Sequence, residues 1–210
     1  MTEKLITYVR VLLGLVYLIN GTNWFFKIIT PYPSISDFVD YLPPPDIVGA
    51  LIENGVMFHL AKGIEVVTGI MLLANRAVPL ALVVAMTVTV PVFIVDVFKP
   101  EWRLRAFLMG SGSFTMNATL LAAWYHHYRP MMVWRSAPAA RPGSAPVEEG
   151  DALSDGLGRL ANLLLPILAP LSALLGTTMV IWLFVMMGQY VADPKAIHEV
   201  REMVPRQAPE

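Results

Sequence analysis

The chain has 210 residues and a net charge of −1; 56% of its residues are hydrophobic and only 15% are charged. A soluble domain is nearer a quarter charged. The few charges here are clustered between long apolar runs, which predicts a polytopic membrane protein and leaves no basic footprint for nucleic acid. With no cysteine, the chain itself carries no disulfide, cysteine-ligated zinc, iron–sulfur centre or thiol–disulfide chemistry.

The first apolar run covers 5–26 and follows a short polar start without a small-residue cleavage signature, so it reads as a retained span. It carries Arg10 early, then Gly14, Tyr17, Asn20, Gly21, Asn23 and Trp24, with Lys27 at its exit. Small residues let helices approach closely, and asparagine can bond across them. Prolines bound the connection 31–45, where a short amphipathic piece over 37–41 is one reading and a rigid connection the other. A second run covers 53–73 and ends in the polar turn Asn75-Arg76; a third covers 77–98, with Pro91 inside it and Asp96 near its end. The loop 99–105 is basic, and the fourth run, 106–124, contains Gly110, Gly112, Thr115, Asn117 and Thr119 before ending at His126-His127.

Residues 136–158 are rich in Ala, Pro, Gly and acidic residues and read as a flexible linker. The apolar segment 160–187 is interrupted by Pro166 and Pro170 and is too short for two crossings of about 20 residues each, so one tilted or kinked span is expected. The predicted architecture is all-α: a four-helix transmembrane bundle at 1–129, a linker at 130–158, a fifth C-terminal span at 159–190 and a polar tail at 191–210. The bundle is expected to fold without the fifth span, because few contacts should cross such a linker. Positive charges divide evenly between the two sides, so they carry no preference for orientation.

The second run holds the most informative stretch. His59, Lys62 and Glu65 lie three residues apart, close to one face of a helix. Ionisable groups in hydrocarbon are costly and usually face a bundle interior, either binding something or neutralising one another. Glu65 has candidate cations in Lys62 on the same helix, in Arg10 and, farther off, in Lys27.

Arg10-x-x-x-Gly14 with Asn20-Gly21, then Glu65-x-x-x-Gly69 and Asn75-Arg76, resemble the DoxX family of small membrane proteins. The segment 21–34 is similar to a bacterial branch of it, and the resemblance covers roughly residues 7–124. It implies a four-helix bundle with a cytoplasmic N-terminus in a bacterial cytoplasmic membrane, and an ion pair between Arg10 and Glu65. Some members are subunits of a thiosulfate:quinone oxidoreductase, others associate with membrane redox enzymes, and many have no assigned activity. The linker and fifth span depart from the family pattern.

A bis-histidine haem is disfavoured, since His59 and the pair His126 and His127 fall at opposite ends of their spans. No three ligands converge at a familiar metal spacing. Two functions remain. One is a subunit of a membrane redox complex that interacts with quinone, with Asn20, Asn23, His59, Lys62, Glu65 and Asp96 as the cofactor-binding set and a flavin- or metal-bearing partner as electron donor. The other is a scaffold or assembly protein whose polar residues only lock helices together. Neither assigns a catalytic residue, and small-solute transport has weaker support because no inverted repeat is evident.

Overall fold

The computed structural model describes residues 2–26, 54–98, 104–131 and 152–192, and among them every regular element is helical. The described residues hold five long helices: α1, Thr2–Phe26; α2, Met57–Leu73; α3, Val78–Val97; α4, Leu104–Ala123; and α5, Ala152–Ala192. A single turn, Tyr125–Tyr128, and a 3-10 turn, Arg129–Met131, extend α4. The proposed surface helix at 37–41, Lys27, the loop 99–103, residues 132–151 and the tail from 193 lie outside the described residues.

Among the described residues, three helical stretches are long and apolar enough to cross a membrane: Glu3–Phe26, Val78–Val97 and Leu153–Val185. The second helix has 17 residues, or about 26 Å at the helical rise, and gives up apolar length to Lys62 and Glu65. The fourth has 20 residues but includes Gly, Ser, Thr and Asn, which lower its hydropathy.

Of the described helices, α1 packs on α2, α2 on α3 and α3 on α4, and α5 lies against both α1 and α4. The core therefore forms around α1, whose Val9, Leu12, Leu13 and Val16 meet Leu72, Leu82, Met116 and Leu120. Exposed Leu, Ile and Val on α3 and α5 face outward, as lipid-facing helices require.

Glycine sets the distance between α1 and α2. A Cβ on Gly69 would lie 2.7 Å from the Leu18 nitrogen, and one on Gly21 would lie 2.9 Å from the Lys62 carbonyl oxygen. Backbone touches backbone there, the close approach that small residues permit in membranes. The Asn75-Arg76 turn forms as expected. Asn75 adopts φ 54°, its N–H donates to the Leu72 carbonyl, and the Arg76 N–H donates to that of Met71. This pair of bonds is a Schellman motif, with Asn in the left-handed position that glycine more often fills.

The C-terminal helix overturns part of the expected layout. It begins at Ala152 rather than 159, so the last residues of the predicted linker are helical. Ser154 is fully buried, its carbonyl accepts from the Tyr125 hydroxyl, and Arg129 pairs with Asp155 at 2.8 Å. The helix runs unbroken through Pro166 and Pro170. It docks through Ala169, Ser172, Ala173, Gly176, Met179, Val180 and Leu183, a stripe at helical spacing. Two sulfur knobs interlock there: Met179 lies against Gly112, and Met116 lies against Gly176. The fifth helix is thus part of the core, because the groove between α1 and α4 would otherwise leave Met116 and Leu12 uncovered.

Candidate functional site

The antiparallel register of α1 and α2 decides which polar groups meet. With Gly21 opposite Lys62 and Gly14 opposite Leu73, Asn20 arrives at the level of Glu65. The Asn20 Nδ2 donates to Glu65 Oε2 at 2.8 Å, while the Lys62 Nζ donates to Oε1 at 2.8 Å and to Oε2 at 3.0 Å. Lys62 is 6% and Glu65 5% exposed, so the pair is withdrawn from solvent and lipid. The Lys62 ammonium also lies 5.4 Å from the centre of the Phe58 ring, within the range in which a desolvated cation is attracted to an aromatic face.

Arg10 is not the partner of Glu65. Ten residues separate Arg10 from Asn20 along α1, about 15 Å at the helical rise, which no arginine side chain spans. Arg10 instead reaches the end of α2, where its guanidinium donates to the Leu72 carbonyl. That carbonyl belongs to the last turn, at the negative end of the helix dipole, and also accepts from the Asn75 N–H of the turn. The arginine therefore closes the same helix end that the Asn75-Arg76 turn caps.

The other expected site residues lie on α1, α2 and α3. Asn23 is buried beside Trp24 near the end of α1. His59 is exposed; its Nδ1 donates to the Gly55 carbonyl at 2.7 Å, and its ring meets Trp24 and Phe25 with centroids 5.5 and 6.1 Å apart. Asp96 lies half-buried on α3, against Gly110 of α4. Of the six residues, Asn20 and Lys62 both donate to Glu65, His59 sits at the rim, and Asn23 and Asp96 have partners of their own.

A second polar cluster, at the junction of α1, α3 and α4, was not singled out by spacing. Tyr17 and Thr89 hydroxyls lie 2.6 Å apart, and Asn117 Nδ2 reaches the Tyr17 hydroxyl at 3.3 Å and the Leu82 carbonyl at 3.4 Å. The signal in the sequence is faint: three polar residues on three different apolar helices, each unremarkable alone.

At the opposite end of the bundle from His59, the exposed rings of His126 and His127 have centroids 3.9 Å apart. Beside them the Tyr128 hydroxyl donates to the Pro79 carbonyl at 2.8 Å, and burial pushes its phenol up to about 12. No cluster of three metal-ligating side chains occurs among the described residues.

No match was found among curated proteins or solved structures. The DoxX family model matches residues 5–97, the span from α1 to the end of α3. It covers the Asn20–Lys62–Glu65 cluster, the Arg10 cap and both partners in the α1–α2 glycine contact. Over these residues this membrane protein is similar to DoxX, a family of small membrane proteins.

Proposed function

We propose that the chain is a non-catalytic, membrane-embedded subunit of a larger redox assembly in a bacterial cytoplasmic membrane, and that its helix bundle acts there as a scaffold. The observation that carries this reading is the closure of the buried cluster: Lys62 and Asn20 occupy both oxygens of Glu65 from within the chain. A cluster satisfied in this way fixes the register of two helices and presents little to a ligand. The redox assembly rests on the resemblance to DoxX proteins, and the docked fifth helix offers a lipid-facing flank to neighbouring subunits. All five helices cross the bilayer, with α2 shortened, the N-terminus cytoplasmic and the C-terminus on the far side.

Purification in mild detergent is expected to bring down a redox-active subunit. The complex should keep its activity when Lys62→Met and Glu65→Gln are combined, since the pair is removed as a unit. Loss of activity with the complex intact would count against the scaffold. Reporter fusions after Arg76 and after Gln207 should report opposite sides of the membrane.

A second reading has one observation in its favour. The ammonium, carboxylate and amide of the cluster lie toward one end of α2, near the aromatic side chains of Trp24, Phe58 and His59. Donors beside apolar walls suit a quinone headgroup and its tail. Quinone titrated into the purified protein or its complex would then raise thermal stability, and the double variant would abolish the rise. No stabilisation of either species removes this reading.

A further inference from the structure

The cluster at Tyr17, Thr89 and Asn117 is directional, and its direction leaves one atom without a donor. The Thr89 hydroxyl donates to the Ala85 carbonyl at 2.9 Å, so in the contact with Tyr17 it accepts, and the Tyr17 hydroxyl donates. The Tyr17 oxygen is then the acceptor for Asn117 Nδ2, whose other hydrogen goes to the Leu82 carbonyl. Turning the amide over would set its oxygen against the Leu82 carbonyl oxygen, so this orientation is the one the surroundings allow. Both amide hydrogens are used, while Asn117 Oδ1 is buried and meets no donor.

A buried amide oxygen without a donor loses its hydration with nothing in return, at a cost of about 1–3 kcal/mol. Protein interiors commonly meet that cost with an internal water, and a donor the size of water is what a fully covered atom can admit. The side of α4 that carries Asn117 is also polar and finely stepped. One turn back is the buried Ser113 and a further turn back Gly110, which lies against Asp96 and the Val92 carbonyl of α3. Residues at this spacing share a helix face. This face leads from Asn117 toward the half-buried carboxylate of Asp96 at the end of α3.

We propose that Asn117 Oδ1 is the anchor of an internal hydration site at the junction of α1, α3 and α4, occupied by water that enters along the Ser113–Asp96 face. The site does not relay protons onward through Tyr17, because the chain of bonds ends at the Ala85 carbonyl, which has no proton to pass. Its effect is to hold α4 against α1 and α3 by polar contacts deep in an apolar bundle. The proposal is independent of any partner or quinone.

Radiolytic hydroxyl footprinting of the full chain in detergent reads it directly, since radicals generated from bound water label the side chain beside it. Tyr17 should be labelled in the parent protein despite its burial, while Met179, also buried, on the α5 face, and intrinsically more reactive, stays silent. In Asn117→Leu the Tyr17 labelling should fall several-fold, with Met179 unchanged. The proposal is overturned if Tyr17 is as silent as Met179 in the parent, or if its labelling survives in a folded Asn117→Leu protein. Should that variant fail to insert, the parent pattern decides alone, with Thr89→Val as the second variant. Removing the Thr89 hydroxyl leaves Asn117 in place, so labelling of Tyr17 should persist there, and its loss would equally overturn the assignment of the water to Asn117.

Discussion

At the scale of single residues, the fate of Glu65 separates two arrangements that differ in their consequences. Had Arg10 been its partner, Lys62 would have been available to a ligand and Glu65→Gln would have been far more damaging than Lys62→Met. The structure joins Glu65 to Lys62 at 2.8 Å, so each change takes a partner from the other's buried charge. Breaking a buried pair from one side typically costs about 3–5 kcal/mol, and the two single variants should lose similar stability. The combined Lys62→Met and Glu65→Gln variant should lose less than the sum, because both charges of the pair are removed together. Thermal unfolding of the three variants in detergent checks this; a large excess loss for Glu65→Gln alone would show that another cation shares the carboxylate.

At the scale of elements, the contact between α1 and α2 depends on atoms that are absent. Gly69 faces the backbone of Leu18, which cannot step aside, whereas a Cβ on Gly63 of the same helix would meet nothing within 4 Å. Gly69→Ala should therefore push α2 away from α1, separate Asn20 from Glu65 and destabilise the protein by about 1–3 kcal/mol, the usual cost of overpacking. Gly63→Ala should be neutral or stabilising by up to about 1 kcal/mol, since alanine is the better helix former. Denaturant or thermal midpoints of the two variants make the comparison, and equal effects would mean that the glycine contact does not set the helix spacing. The sequence displayed the glycines and the paired polar residues, but the register joining them depends on which backbone stretches can touch.

At the scale of the whole molecule, the fifth helix binds the bundle together. Its small-residue stripe and the Met179–Gly112 and Met116–Gly176 knobs fill the groove between α1 and α4, and Thr119 and Ser172 hydroxyls meet there at 2.7 Å. Truncation after Arg135 should accordingly give a protein that is degraded or loses its thermal transition, rather than the independent bundle that the linker composition suggested. A truncated protein as stable as the parent in detergent would restore the four-helix bundle as the folding unit.

The sequence by itself determined the class of this protein. Apolar runs of membrane length leave helices as the economical way to satisfy the backbone in lipid, and the turn at Asn75-Arg76 is a local signal that the backbone obeys locally. The spacing of Lys62 and Glu65 likewise brought them together, because three residues along one helix is a fixed distance. Partners on different helices were not legible in that way. Whether Glu65 met Arg10 or Asn20, whether Tyr17 met Asn117, and whether α5 stood apart or docked all depend on the register and order of helix packing. These are set by close contacts such as Gly69 with Leu18, which only the tertiary structure decides, since in lipid one apolar helix face resembles another until shape complementarity distinguishes them.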